Sequence, residues 1–339
     1  MNKLVSIIEE DVERICSKVD LTRLAGARIL VTGASGLVGT YLLACLKKVP
    51  VRVIAVMQNE PLPYFKELIT NKVSLLYGDL TDYDFCRRLP SVDCVIHAAG
   101  YAQPGKYMAD PIKTLKLNTV VTLQLFEKLT TEGKFLFIST GQVYNGLPNP
   151  PFKEDQIGRT STTDPRSCYI ESKRCGEAIS YEYRIKGYDA KIARLSLAYG
   201  PGTKPGDCRA LNVFIQKAIE GKIDLLDSGA ALRTYCYVSD AVEIIWHILL
   251  DGKEPIYNVG GNSRTTIKGL ANKIGILLSA PVIFPSALQT LVGSPTDEYV
   301  DMTKVENEFL KKDYIPLDIG LIRTIEWQQA LYSSLKEKP

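Results

Sequence analysis

From residue 27 to about residue 196, the chain alternates short apolar runs with segments of helical periodicity. The intervening segments Leu37–Lys48, Ile112–Leu129 and Tyr169–Ile185 carry apolar residues at helical spacing. Strands that alternate with helices predict a parallel sheet covered by helices on both faces, and nearly all-apolar strands fit burial on both sides. The apolar runs predict six strands, at Arg28–Thr32, Val51–Val56, Val73–Leu76, Cys94–His97, Phe135–Ser139 and Lys191–Leu195.

The two flanking regions follow other patterns. Residues 4–19 carry apolar residues three and four apart, which predicts a short amphipathic helix within an N-terminal extension, residues 1–26. Beyond residue 196 the alternation becomes less regular, and Ile319–Leu335 has a helical pattern. We therefore expect a main α/β domain at 27–196 and a smaller lobe at 197–339, with the chain able to cross between them.

Composition narrows the class of protein. An apolar content of 45% and a charged content of 23% are those of a globular chain. The net charge of +3 is small and not clustered, which argues against nucleic acid as a partner. No apolar run is long enough for a membrane span, and eight cysteines without a CxxC pair indicate reduced thiols in a cytoplasmic protein.

A glycine-rich turn follows the first predicted strand. Glycines at 33, 36 and 39 have the spacing G-x-x-G-x-x-G between a strand and a helix. In that context Gly33 allows a tight turn, Gly36 lets a pyrophosphate approach the backbone, and Gly39 lets the helix pack closely on the sheet. The helix N-terminus then presents free N–H groups to the phosphates. The turn predicts a Rossmann-type dinucleotide site.

Residues after the next strands indicate which dinucleotide binds. The position that usually carries a carboxylate for NAD is Met57, followed by Gln58, whose amide can bond the ribose. The absence of an arginine there favours NAD without excluding NADP. The predicted cofactor site consists of Gly33, Ser35, Gly36, Leu37, Val38, Gly39, Gln58, Asp79, Leu80, Ala98, Ala99, Gly100, Asn118, Tyr169 and Lys173. His97, at the end of a buried strand, is expected to be structural.

The candidate catalytic residues are Tyr169, Lys173 and Thr140. Tyr169 and Lys173 are four residues apart, which places both on one face of a helix. A tyrosine is a poor base near neutral pH, and we expect the Lys173 ammonium, together with the positive nicotinamide ring, to lower the pKa of Tyr169. Thr140, just past the fifth strand, is placed to bond the same substrate hydroxyl. Together these groups predict proton transfer coupled to hydride transfer.

These motifs together resemble the extended short-chain dehydrogenase/reductases, in the branch of nucleotide-sugar epimerases, decarboxylases and dehydratases. The segments Tyr107–Thr119 and Pro165–Arg174 carry the likeness most specifically, and it extends over residues 27–335. The resemblance implies a Rossmann doubly wound parallel sheet with a smaller C-terminal substrate-binding lobe, and a nucleotide-diphosphate sugar as substrate. It further implies that Gln142, Asn212 and Arg233 bind substrate, with the Arg233 fork on the diphosphate.

Two positions depart from the family pattern. Gly141 and Gln142 follow Thr140, where decarboxylases carry a glutamate and 4,6-dehydratases an acidic pair. An amide cannot shuttle a proton as a carboxylic acid does, which argues against both reactions unless another acid reaches the site. Leu197 stands where the family usually has an asparagine that bonds the diphosphate.

Epimerisation through a transient keto-sugar demands the fewest groups and is the leading hypothesis. Reduction of a 4-keto nucleotide sugar uses the same residues and is the second hypothesis. Decarboxylation or dehydration is the third. A dinucleotide-binding sensor or scaffold without turnover is the non-enzyme alternative. The resemblance also implies a homodimer formed through Ile112–Leu129 and Tyr169–Ile185. No metal site is expected, since the chain has only two histidines.

Overall fold

The computed structural model describes residues 3–285 and 297–336. Some residues of the predicted extension and of the predicted lobe, 1–2, 286–296 and 337–339, therefore lie outside the described residues. The described strands are β1 Arg28–Thr32, β2 Arg52–Met57, β3 Val73–Tyr77, β4 Val92–His97, β5 Leu129–Thr140, β6 Asp189–Leu195, β7 Ala198–Tyr199, β8 Ile223–Asp224, β9 Leu232–Tyr237, β10 Ile256–Val259, β11 Ser263–Thr266, β12 Val282–Ile283 and β13 Asp297–Glu298.

The α-helices alternate with these strands through the first half of the chain. Short 3-10 turns supplement them at Leu21–Leu24, Leu46–Lys48 and Gly141–Tyr144. The helices are α1 Lys3–Cys16, α2 Leu37–Cys45, α3 Tyr64–Leu68, α4 Tyr83–Arg87, α5 Pro104–Ala109, α6 Pro111–Asn118, α7 Val120–Phe126, α8 Ser167–Ile185, α9 Ala210–Ile219, α10 Val238–Asp251, α11 Ile267–Leu278, α12 Thr303–Glu308 and α13 Leu317–Lys336.

The main sheet has seven parallel strands in the order β10-β6-β5-β4-β1-β2-β3. Strand order reverses on either side of β1, which is the doubly wound arrangement that the sequence predicts. Ligands in such sheets bind beyond the carboxyl ends of the strands near that reversal. The glycine turn after β1 and the end of β4 therefore lie at the expected ligand edge.

All six predicted strands are present, and two details differ from the prediction. The predicted helix Ile112–Leu129 is two helices, α6 and α7, and Leu129 already belongs to β5. Thr119 separates them because its backbone (φ −119°, ψ −76°) departs from the angles of a regular helix, which makes it the C-terminal cap of α6 and the N-terminal cap of α7. The seventh strand, β10, lies beyond residue 196, so the chain returns to the main sheet after leaving it.

Two smaller sheets adjoin the main one. Strand β9 pairs with β11, β13 and β7, and β12 pairs with β8. The parallel register of β13 sets Glu298 opposite Arg233. This pairing matters for function because Arg233 is one of the residues predicted to bind substrate.

Helix α1 packs on the body of the protein. Its apolar face, including Ile8 and Ile15, is fully buried in the same core as α2, α10 and α13. Asp11 is buried on that face and accepts hydrogen bonds of 2.8 Å from the hydroxyls of Tyr41 and Tyr237. A polar anchor therefore joins the helix to the β9 strand end.

Candidate active site

The glycine turn after β1 has the close backbone approach that its spacing predicts. Gly33 has φ +65°, and a Cβ there would lie 2.6 Å from the carbonyl oxygen of Ala98. A Cβ on Gly39 would lie 2.4 Å from the carbonyl oxygen of Gly33. Gly36 is the residue before α2 and caps it without a side chain, so the helix starts at Leu37 and Val38 with free N–H groups. The turn thus leaves room and donors for an anion.

A buried hydrogen-bond chain holds the end of β4 against this turn. The Thr32 hydroxyl lies 2.8 Å from His97 Nδ1, and His97 Nε2 lies 3.1 Å from the carbonyl oxygen of Leu117. The backbone N–H of Ala99 donates to Thr32 Oγ1 at 3.2 Å. Burial, together with the nearby Lys173 charge, lowers the pKa of His97 to about 3. His97 is therefore a neutral structural residue, as the sequence predicts.

The residues predicted to lie toward the adenosine end of a dinucleotide flank the turn. Gln58 is exposed directly after β2, and Leu80 is buried. Asp79 accepts hydrogen bonds from Thr81 and pairs with Lys113 at 2.5 Å. Burial opposes ionisation of Asp79, but the bonds from Lys113 and Thr81 outweigh it and lower the pKa of the carboxyl group. Asp79 is consequently an ionised acceptor at neutral pH.

Tyr169 and Thr140 meet at the carboxyl end of β5. The Thr140 hydroxyl lies near enough to the Tyr169 hydroxyl to act against a rise in its pKa, and both side chains are less than 10% exposed. The Tyr169 ring stacks on Tyr107 with 4.7 Å between ring centres. Burial raises the pKa of Tyr169, against the lowering effects of Thr140 and the Arg209 charge. Lys173 is not among the groups that shift this pKa, and its expected effect together with a bound nicotinamide ring stays a prediction.

Lys173 is directed toward the sheet. Its ammonium donates to the carbonyl oxygen of Ile138 at 2.8 Å, and burial lowers its pKa to about 7. A Cβ on Gly100 would lie 3.4 Å from this ammonium and 3.9 Å from Asn118 Oδ1. Asn118 Nδ2 donates to Thr114 and Ser172, while its buried Oδ1 accepts from no described group. The lysine and this amide oxygen thus flank one small gap beside Gly100.

The residues predicted to bind substrate separate into two groups. Gln142 Nε2 donates to Glu298 Oε1 at 2.5 Å, and Glu298 Oε2 lies 3.7 Å from Arg233 Nε. These three side chains form one cluster beside Thr140, whose Oγ1 accepts from the Gln142 backbone N–H. Asn212 is elsewhere, buried against Gln328 at 3.0 Å and against Asp207. Its role in substrate binding stays a prediction.

The structure adds residues to the site whose roles the sequence analysis does not predict. Lys204 donates to the Ser35 hydroxyl at 3.0 Å and so lies over the glycine turn. Arg209, which pairs with Asp207 at 2.7 Å, contributes positive charge near Tyr169. Leu197 has φ +34°, a left-handed backbone that asparagine adopts more readily than leucine. Of Lys204, Arg209 and Leu197, only Leu197 can be noticed in the sequence, because it departs from the family pattern.

The residues present fit a bound nicotinamide dinucleotide. The turn at Gly33 has no space for a Cβ, the start of α2 offers N–H donors, and Asn118 Oδ1 is a buried acceptor without a described partner. A pyrophosphate suits the first two features and a polar group of the cofactor or substrate suits the third.

In the described parts of the chain, no cluster of three or more His, Cys, Asp or Glu is arranged to hold a metal ion. No helix there is long and apolar enough to cross a membrane.

Comparison with known proteins places this site in context. The profile of the NAD dependent epimerase/dehydratase family matches residues 29–260. UDP-glucuronic acid decarboxylase 1 of Danio rerio is 30% identical over 310 residues, which cover 88% of this chain and 72% of that protein.

Solved structures share the same fold. The epimerase Mth375 of Methanothermobacter thermautotrophicus superposes with a TM-score of 0.81 at 21% identity, covering 98% of both chains. The Bordetella bronchiseptica enzyme WbmF, solved in complex with NAD+, has a TM-score of 0.71 at 25% identity and covers 93% of this chain and 96% of that one. With its glycine turn, its Tyr169–Lys173 pair and a family match over most of its length, the chain belongs to the NAD-dependent epimerase/dehydratase family of nucleotide-sugar enzymes.

Proposed function

We propose that the protein epimerises a nucleotide-diphosphate sugar through a transient keto-sugar. The observation that carries this proposal is that the buried hydroxyls of Tyr169 and Thr140 lie next to each other at the end of β5, with Lys173 one helical turn along from Tyr169. These groups suffice to remove a proton from a sugar hydroxyl and to return it. Residue 142 is an amide, so the extra acid of decarboxylases and dehydratases is replaced by a group that does not exchange protons near neutral pH.

In this mechanism Tyr169 holds and moves the proton. Thr140 orients the sugar hydroxyl and the tyrosine hydroxyl toward each other, since its hydroxyl both donates and accepts. Bound NAD supplies the hydride acceptor and donor for the sugar carbon. Burial of Tyr169 and Thr140 excludes water from the proton path. Lys173, with a pKa of about 7, can lose or accept a proton near neutral pH from its place beside Gly100.

The substrate binds, in our proposal, between the end of the main sheet and residues beyond 196. Arg233 on β9 offers a guanidinium to the diphosphate, and Gln142 lies on the sugar side next to Thr140. We propose residues 27–196 as the dinucleotide-binding part and residues 197–339 mainly as the substrate-binding lobe. NAD would be held by the turn at Gly33, by the start of α2 and by Asn118.

The first test identifies the dinucleotide in freshly purified protein by mass spectrometry after denaturation. Near-stoichiometric NAD supports recycling of the cofactor within one site. UDP-, dTDP-, GDP- and CDP-hexoses are then incubated with the protein, and inversion at a sugar carbon is followed by proton NMR. Tyr169→Phe should lower the rate about 10²–10⁴-fold while the dinucleotide remains bound. A measurable rate unaffected by this variant would overturn the role of Tyr169, whereas bound dinucleotide without turnover of any of these sugars would favour the sensor or scaffold instead.

A second candidate is reduction of a 4-keto nucleotide sugar, which needs the same three residues. An empty dinucleotide site on purification, and NAD(P)H consumption at 340 nm with a keto-sugar, would overturn the epimerase. Decarboxylation stays a third candidate because the Glu298 carboxylate beside Gln142 is an acid that reaches the site from another part of the chain, and this reaction requires UDP-glucuronate to bind. Release of CO₂ from UDP-glucuronate would identify that reaction.

We propose a homodimer in the cytoplasm. The outer faces of α6, α7 and α8 carry large apolar side chains that are 40% exposed or more, namely Ile112, Val120, Leu123, Tyr181 and Ile185. Such faces are common at subunit contacts. The thiols of all eight cysteines are free and most are buried, which suits a reducing compartment. A monomer by light scattering at micromolar concentration would refute the dimer.

A further inference from the structure

Glu298 holds a carboxylate between two residues that the sequence predicts to bind substrate. Strand β13 runs parallel to β9 with Glu298 opposite Arg233. One carboxylate oxygen accepts from Gln142 at 2.5 Å and the other lies 3.7 Å from Arg233. The Glu298 side chain is only 16% exposed, so this charge is part of the site wall and is not dispersed into solvent.

The carboxylate is close to the groups that we propose for proton transfer. The Gln142 backbone N–H donates to Thr140 Oγ1 at 3.2 Å, and the Thr140 hydroxyl lies next to that of Tyr169. Glu298 therefore approaches the sugar end of the proposed substrate as well as its diphosphate end. An ionised carboxylate only accepts hydrogen bonds, so its natural partners on a substrate are hydroxyl groups.

The same short strand balances the positive charge of its neighbours. Asp297 pairs with Arg264, as Glu298 does with Arg233. Two arginines of this small sheet thus each face a carboxylate. A substrate that brings an additional negative charge beside Gln142 meets a partly buried charge of the same sign, and such pairs disfavour each other strongly where water is scarce.

On the basis of the proposed nucleotide-sugar function, we propose that Glu298 is a specificity-determining residue that selects a neutral sugar. The sugar presents hydroxyl groups to the wall formed by Gln142 and Glu298. Hexuronates, whose C6 carboxylate is ionised at neutral pH, are rejected. The diphosphate is common to both kinds of substrate, so its interaction with Arg233 cancels in the comparison between them. The substrate class is therefore a nucleotide-diphosphate hexose without a carboxylate.

The test titrates the NAD-loaded protein with UDP-glucose and UDP-glucuronate by isothermal calorimetry at pH 7.5. We expect the Kd for UDP-glucuronate to exceed that for UDP-glucose at least tenfold. In Glu298→Gln the ratio should fall at least fivefold, because the amide keeps the size of the side chain and removes its charge. Glu298→Asp keeps the charge and should keep the ratio above fivefold.

Asp297→Asn is the matched control. It removes a charge from the adjacent residue, whose side chain points to the opposite face of the strand, and should leave the ratio unchanged. If a variant fails to fold, the ratio of the two Kd values in the wild-type protein alone tests the role of Glu298. A wild-type ratio below tenfold, or a ratio unaltered in a folded Glu298→Gln protein, overturns the role of Glu298.

Failure of the underlying function gives a different result. The same titrations are made with UDP alone and with dTDP-glucose. Neither ligand carries a charged hexose, so their binding does not depend on the proposed role of Glu298. If none of these four ligands binds, and GDP- and CDP-hexoses do not bind either, the proposed nucleotide-sugar function is overturned and the role of Glu298 falls with it. If UDP-glucose binds without discrimination against UDP-glucuronate, the function stands and only the role of Glu298 is lost.

Discussion

Lys173 donates a hydrogen bond of 2.8 Å to the carbonyl oxygen of Ile138. Its ammonium also lies 4.7 Å from the centre of the Phe137 ring. Burial lowers the pKa of Lys173 to about 7, and the Glu177 carboxylate one turn along α8 opposes this shift. The protein thus keeps a lysine near its protonation midpoint at neutral pH, where the residue can exchange a proton.

This shift predicts a pH dependence of stability. The unfolded chain holds the Lys173 proton up to about pH 10.4, whereas the folded chain releases it near pH 7. Above about pH 10.4 the lysine is neutral in both the folded and the unfolded chain and does not affect stability. As the pH falls below that value, the unfolded chain takes up the proton first, so the loss of folding stability grows and reaches its full size below about pH 7. Within this window the free energy of unfolding of the wild type should rise with pH by up to about 1.4 kcal/mol per pH unit.

Lys173→Met removes the titrating group and should remove that slope. The measurement is urea unfolding of the NAD-free wild type and of the variant at intervals from pH 7 to 9.5. We expect the difference in unfolding free energy between the two proteins to change steadily over this range. Parallel profiles would show that Lys173 keeps an ordinary pKa in the folded chain.

His97 offers a second test of the charge state of the buried site. Its Nε2 must carry the proton, because the Leu117 carbonyl can only accept, and Nδ1 then accepts from the Thr32 hydroxyl. With a pKa of about 3 the ring stays neutral through the physiological range. In ¹⁵N NMR we expect the His97 Nδ1 to remain unprotonated from pH 8 to pH 5, with His247 as the second histidine signal. Protonation of both His97 nitrogens near pH 6 would contradict the structure.

The fold could be predicted from sequence where the signal is local. Strands β1, β2 and β4 and the second half of β5 are mostly apolar runs, and burial on both faces of a parallel sheet leaves that pattern in the chain. Strand β10 has four residues between irregular segments, and its place beside β6 depends on long-range pairing. The sequence pattern does not predict the break at Thr119, because apolar periodicity continues across it.

The residues of the candidate site also fall into those that a local sequence pattern indicates and those that depend on tertiary contacts. Tyr169 and Lys173 are one helical turn apart and the glycine turn is contiguous, so spacing alone indicates them. Glu298 reaches Gln142 from 156 residues away, through the register between β13 and β9. Lys204 reaches Ser35 across 169 residues. No local pattern encodes these tertiary contacts.

Gly33→Ala should abolish dinucleotide binding and destabilise the fold. The new Cβ would lie 2.6 Å from Ala98 O, and alanine also resists φ +65°. Gly26→Ala is the matched control, since Gly26 has φ +82° with no atom within 4 Å of the added Cβ. The control should cost only the left-handed strain, about 1–2 kcal/mol, and should keep its NAD. The measurements are mass spectrometry of bound dinucleotide and urea unfolding. Equal loss in both variants would show that close approach to Ala98 is irrelevant.

Asp11 should be the strongest polar anchor of α1. The carboxylate is 5% exposed, accepts from Tyr41 and Tyr237, and lies 3.1 Å from the Arg323 guanidinium. Removing it in Asp11→Ala leaves these donors without their acceptor in the core, and the expected loss of unfolding free energy is about 3–5 kcal/mol.

Glu10→Gln provides the control for that loss, because Glu10 pairs with the same arginine at 2.9 Å from a side chain that is 59% exposed. An exposed pair contributes about 1 kcal/mol or less. Urea unfolding of both variants, with bound NAD measured in parallel, compares the two partners of Arg323 directly. Asp11 contacts Tyr41, Tyr237 and Arg323, none of which we propose for dinucleotide binding, so we expect the dinucleotide to stay bound in any Asp11→Ala protein that folds. Similar losses of stability in the two variants would mean that burial of Asp11 contributes nothing to anchoring the helix.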